Sequence, residues 1–265
     1  VNLAKTEIVV FKKAGSKLPR GLQWFYKGQQ VQGSDSFRYF GVWLHSTKGL
    51  SVARDALKAA GQRAMWAMLG KFKHMQLPDL YLKTHMFDTL VKPVLLYGCE
   101  VWGPDALQQI TSAAGMLDNS LHEVQTLLLR QLGKLWKSTS RQVMLKESCW
   151  VPLSAHWCKM IVCYWNQLAS LPTPLMRVVF HDCVRMGCVN NVGWAAMVLR
   201  MLRQLGLGTL ADKVVQAVKT AMDSADDTDL RLPSLPWDMV ERGCLGNYLG
   251  EGLGRCSWYT PTAVC

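Results

Sequence analysis

Arg54, Lys58, Arg63, Lys71 and Lys73 lie in the basic first third of the chain, where Arg54 and Lys58, four apart, share a helix face and could reach neighbouring phosphates. The chain carries 30 Lys and Arg against 19 Asp and Glu, for a net charge of +11. Residues 1–83 hold 14 of those cations against 4 acids, and residues 84–265 hold 16 against 15, so nearly all the excess sits in the first third. A phosphate backbone attracts such a region through counterion release, whatever its base sequence. The same excess also fits a basic surface that serves only solubility.

Two other groupings could hold metals. Ala225-Asp226-Asp227-Thr228 supplies paired carboxylates of the kind two-metal catalysis needs. It follows a helical pattern and is crowded by Asp223 and Asp229, so the expected setting is a solvated turn after a helix. His156, Cys158, Cys163, His181, Cys183 and Cys188 have zinc-ligand chemistry. No Cys-x2-Cys occurs among them, and each Cys-x4-Cys pair falls on a predicted helix at i, i+5, pointing its thiols about 140° apart. The cysteines are read as small buried hydrophobes, with no metal expected in this chain. No phosphate-cradling glycine motif and no nucleophile–histidine arrangement can be assembled.

The elements that must position these residues change character along the chain. Ile8, Val9 and Val10 form a β-branched run that leads to Phe11, and a polar turn follows from Lys12 to Pro19. Leu22, Trp24 and Tyr26 alternate with Gln23, Phe25 and Lys27 before Gly28, which predicts a strand pair. Phe37 to Leu44 again has strand propensity. From Ser51, a suitable cap, the period becomes helical, with Ala53, Leu57, Ala60, Ala64, Ala67 and Met68 on one stripe and Arg54, Lys58, Lys71 and Lys73 available to solvent. Leu77-Pro78-Asp79 should end that helix and start another, marked by Leu80, Thr84, Phe87, Val91 and Leu95 and kinked at Pro93. Gly98 to Asp105 reads as a break.

Helical patterning resumes over about 116–135 and again over about 141–147, 153–170, 174–186, 192–205 and 209–223. The remainder is rich in Pro and Gly and is expected to be irregular. The fold class is therefore mainly α, with short N-terminal β strands. A chain of 265 residues that is 49% hydrophobic and 18% charged can bury a core without disulfides, which excludes wholesale disorder. Its nine scattered cysteines suit an intracellular protein with reduced thiols. No run reaches the ~18 apolar residues of a membrane span, so no membrane partner is expected. Val1 in place of Met suggests a piece of something longer.

Three segments carry a family resemblance. Asn2-Leu3-Ala4-Lys5-Thr6-Glu7 runs into Ile8-Val9-Val10-Phe11; Phe37-Arg38-Tyr39-Phe40-Gly41-Val42 follows; and Phe87 to Gly98 leads into Glu100-Val101-Trp102-Gly103. In that order they resemble the Asn-x-x-Lys-Thr element, the Phe-x-Tyr-Leu-Gly primer-grip turn and the Leu-x-Tyr-Gly-x-Glu-x-Trp thumb end of non-long-terminal-repeat (long interspersed type) retrotransposon reverse transcriptases. Phe40 stands where the family usually has Leu. Weaker similarity runs on through Leu129 to Gly133 and Glu147 to Asn166, so the resemblance covers about the first 170 residues.

The resemblance implies a C-terminal fragment of an RNA-directed DNA polymerase. Residues 1–46 would be a palm remnant with a primer-grip-like turn, 47–137 a helical thumb-like domain, 138–225 a helical extension and 226–265 a Pro/Gly-rich tail. The partners implied are an RNA template and a DNA primer. The carboxylates that bind Mg²⁺ in the intact parent enzyme would come from strands before Val1, so this chain alone would not polymerise. Lys5 would stand beside the departing pyrophosphate as an accessory to nucleotidyl transfer. Phe37, Arg38, Tyr39, Phe40 and Gly41 would press on the primer strand, and the five cations would follow the duplex backbone. Two other readings stay open: a helical protein-interaction domain, and a retroelement relic without function. An intracellular location, with the nucleus as one destination, follows from the same reading, while oligomeric state is left open.

Overall fold

β-branched and aromatic residues near the start build two small sheets, and alanine- and leucine-rich segments build the helices that follow. The computed structural model describes residues 6–12, 15, 16, 23–75, 79–108, 121–148, 150–204, 207–224 and 232. Strand β2 (Trp24–Tyr26) pairs antiparallel with β3 (Gln29–Gly33), and β1 (Glu7–Ile8) lies parallel to β3 on its other edge. β4 (Ser36–Tyr39) and β5 (Val42–His45) form a separate hairpin. Both antiparallel pairs close through two residues with positive φ, Lys27-Gly28 at 48° and 77° and Phe40-Gly41 at 43° and 83°. This turn geometry matches the twist of paired strands. The main-chain bond from Ser34 N–H to Ile8 C=O extends the β1–β3 pairing, and that from Lys12 N–H to Ser46 C=O ties the two sheets together.

Helix α1 (Ser51–Met75) buries Ala53, Gly61, Met65, Met68 and Phe72. The stripe is thus rotated from the alanine-based expectation, and Ala67 faces solvent. Ser51 does not act as a cap, because its hydroxyl donates back to the Lys48 carbonyl at 2.9 Å. Gly61 sets the approach of α1 to α3 (Lys92–Leu96): a Cβ there would lie 2.2 Å from Leu95 Cδ2, and Leu95 is wholly buried. A Gly61→Ala substitution is therefore expected to destabilise the protein by about 1–3 kcal/mol through overpacking, measurable as a lower urea midpoint.

α2 (Leu80–Leu90) starts at Asp79, whose carboxylate accepts from Tyr81 N–H at 2.8 Å. The expected kink falls at Val91, and Pro93 sits in the first turn of α3. Leu77 and Pro78 lie outside the described residues.

The expected break over 98–105 is instead helix α4 (Cys99–Gln108), with Pro104 inside it. Pro104 has no N–H for the carbonyl four residues back, Glu100 C=O. That carbonyl accepts from Trp194 Nε1 at 2.7 Å, a donor contributed from 94 residues away. The helix persists through its proline because the lost partner is replaced.

The remaining helices, α5 (His122–Gly133), α6 (Arg141–Ser148), α7 (Leu153–Ala169), α8 (Pro174–Asn190), α9 (Trp194–Gln204) and α10 (Gly208–Ser224), follow the predicted segments to within a few residues. Among the described residues the chain is mainly helical, with strands confined to the N-terminal sheets. One apolar core extends from Met65 to Leu232, with Trp102, Trp157 and Trp165 wholly buried. α4 packs on both α7 and α9, so this core runs on across residue 137.

A polar knot lies inside this core. α7 is preceded by Pro152, which cannot cap it with a side chain. α5 does so instead: Leu153 N–H donates to Gln125 Oε1 at 3.2 Å and Ser154 N–H donates to His122 Nε2 at 3.2 Å. Gln125 Nε2 also donates to Val151 C=O at 2.8 Å. Burial lowers the His122 pKa from 6.5 to about 3, so the ring is neutral and can accept. The pKa of His156 is also lowered to about 3, first by burial and then by Lys92, Lys159 and His122.

Candidate nucleic-acid interface

The β4–β5 hairpin projects aromatic side chains from a backbone that a tight turn holds in place. Phe40 occupies the turn with positive φ and is 76% exposed, and the Tyr39 ring meets it edge-on at 4.5 Å. Phe37 is also exposed. Arg38 Nε donates to Gly41 C=O at 3.4 Å across the turn, which stiffens the tip. Bulky residues adopt positive φ only when their surroundings compensate.

That compensation comes from the segment after α3. Tyr97 donates its hydroxyl to Phe40 C=O at 2.6 Å, a contact across 57 residues. The Tyr97 ring lies so close over Gly41 that a Cβ there would sit 3.0 Å from Cε1, so glycine is required both for its φ of 83° and for space. Gly98, with φ of 65°, meets Val42 in the same way: a Cβ would lie 3.1 Å from Val42 Cγ2. Trp102 Nε1 donates to Tyr97 C=O at 2.8 Å and its ring meets Trp157 edge-on. The hairpin is thus fastened through Tyr97 and Trp102 to the buried core. Two segments singled out in the sequence, 37–42 and 87–103, are in contact.

The cations divide into two sets. Arg54 and Lys58 share a face, as their spacing predicts, but that face looks toward α4 and α5. Arg54 lies 4.0 Å from Asp105 with its side chain only 11% exposed, and Lys58 donates to Glu123. The expectation that Arg54 is open to solvent is therefore corrected, because the carboxylate of Asp105 draws it inward. Arg63, nine residues from Arg54, points to the opposite side of α1, about 180° away. Arg63, Lys71 and Lys73 are exposed. Trp66, also exposed, and Lys73 project about 60° and 80° to one flank of Arg63, and Lys71 about 80° to the other. Cations interleaved with an exposed ring can meet both phosphates and bases.

Lys5 and Ala225-Asp226-Asp227-Thr228 lie outside the described residues. Cys158 is buried and Cys163 exposed on α7, the divergence their spacing predicts, and with Cys183 and Cys188 half-buried the expectation of buried thiols holds for Cys158 alone among the four. Among the described residues, no three His, Cys, Asp or Glu side chains converge as metal ligands, and no helix is long and apolar enough to cross a membrane. Sequence reading passed over Tyr97 as an anchor of the hairpin and over His122 and Gln125 as caps. Each acts on a residue far along the chain, so no local spacing marks it. Comparison with protein-family models, curated proteins and solved structures finds no match to this chain.

Proposed function

We propose that this chain is the primer- and template-holding part of an RNA-directed DNA polymerase of the non-long-terminal-repeat retrotransposon type. In this reading it grips an RNA template and a DNA primer and performs no chemistry itself. The carrying observation is the docking of the Phe37–Val42 hairpin onto Tyr97-Gly98, which presents an aromatic tip from a rigid body. The exposed Arg63, Lys71 and Lys73 would then supply sequence-independent phosphate contacts. Mg²⁺ belongs to the intact parent enzyme; the described residues bring no carboxylate set together for it, and no catalytic step is assigned here.

Binding of a primed RNA–DNA duplex by the full chain, measured across a salt series, tests this reading. Affinity should fall with salt, and joint reversal of Arg63, Lys71 and Lys73 to Glu should weaken binding at least ~10-fold and flatten the log–log slope by about 2–3. Salt-independent binding, unchanged affinity in the triple variant, or nucleotide incorporation by this chain alone would each overturn it. A helical protein-interaction module is the second reading. It is favoured by one observation, the exposed apolar residues of α8.

A further inference from the structure

Helix α8 turns Phe180, Val184 and Gly187 into the core. Its opposite side carries a second, exposed stripe. Leu175 is 70% exposed, Val178 59% and Val189 60%, and Val192 just past the helix end is 61% exposed. With Asp182 and Arg185 the helical members fall at steps of three and four, Leu175, Val178, Asp182, Arg185 and Val189, the spacing of a two-helix seam, and Val192 follows the left-handed Asn191 that ends the helix. Val179 and Met186 flank it and are exposed as well. At its centre Arg185 Nη2 lies 3.0 Å from Asp182 Oδ1, with both side chains more than half exposed.

We infer that α8 is a self-association surface, pairing antiparallel with α8 of a second copy of this chain. The order of the residues argues for a second copy over other occupants. When Asp182 is set opposite Arg185 of the second copy, Val178 falls opposite Val189, and Leu175 faces the end of the second copy's helix. Two-fold symmetry repeats each pairing. Every layer then matches apolar with apolar or acid with base, and no charge is left facing a hydrophobe. A partner of another kind would have to carry the reversed order of both charges and apolar residues. A single pair of 17-residue helices is smaller than the ~1,200–2,000 Å² contacts of stable complexes, so the association is weak and depends on concentration. The inference stands independently of the nucleic-acid reading.

Sedimentation equilibrium of the full chain tests it. The wild type should move from the monomer mass toward twice that mass as concentration rises into the hundreds of micromolar. Asp182→Arg sets like charges opposite each other and should weaken association at least ~10-fold. The swap Asp182→Arg with Arg185→Asp restores opposite charges in every layer and should recover wild-type association. Both positions are exposed, and unchanged circular dichroism and melting of the variants would verify folding. A wild type that stays monomeric throughout, a single reversal without effect, or a double swap that fails to recover association would overturn the inference. The first result would assign the stripe to a different occupant, either residues 233–265 of the same chain or another protein.

Discussion

Replacing Trp102 with alanine is expected to lower the unfolding free energy by about 3–5 kcal/mol, the range for a large aromatic removed from a closed core. Trp102 is wholly buried, and its ring contacts Trp157 at 5.3 Å between centroids. Its indole N–H is bonded to Tyr97 C=O, so truncation also strands that carbonyl. Tyr97 in turn holds Phe40, and the β4–β5 hairpin should loosen beyond what the global loss explains. Urea unfolding measures the first effect, and amide exchange of residues 36–45 measures the second. Trp102→Phe keeps much of the ring volume but not the donor, so it should cost about 1–3 kcal/mol while still releasing the hairpin. A loss below ~1 kcal/mol for the alanine variant would refute the closed-core account.

Acidification is expected to produce the next largest change. His122 is neutral in the fold, with its pKa lowered from 6.5 to about 3 by burial. The unfolded chain binds a proton there below about pH 6.5 and the folded chain does not, so stability is complete above that value and declines as pH falls toward 3. At about pH 5 the cost through His122 alone is about 2 kcal/mol relative to about pH 7.5. His156 acts in the same direction, its pKa being lowered by burial and by neighbouring cations. Urea unfolding at the two pH values measures the difference. His122→Gln keeps a side-chain acceptor for the Ser154 N–H and has no proton to gain, so the variant should lose a large part of the dependence. Equal stability of the wild type at both pH values would contradict a buried neutral imidazole.

The helices were legible because their apolar period is local. Ala53, Leu57 and Ala64 fix the phase of α1 to within a fraction of a turn, and Pro93 marks its own kink. What sequence reading missed depends on partners far along the chain. Pro104 read as a break because nothing nearby replaces its missing donor, and Trp194 lies 94 residues from the carbonyl it satisfies. Arg54 read as a solvent cation because Asp105 and Glu123, the acids that engage it and Lys58, belong to other helices. The hairpin was legible as strand, turn and glycine, but its attachment to Tyr97 was not. The rotation of the α1 stripe has a similar origin: Gly61 has no side chain to mark it as buried, and its position is set by Leu95.

The bond from Trp194 to Glu100 also bears on the order in which the protein matures during synthesis. A nascent chain released only as far as α7 contains α4 but not the indole that satisfies its open carbonyl. Until residue 194 leaves the ribosome, that turn must draw on water or fray, and the fastening of Tyr97 by the neighbouring Trp102 is only as firm as the turn beneath it. The aromatic tip therefore reaches its final rigidity only after synthesis has passed residue 194.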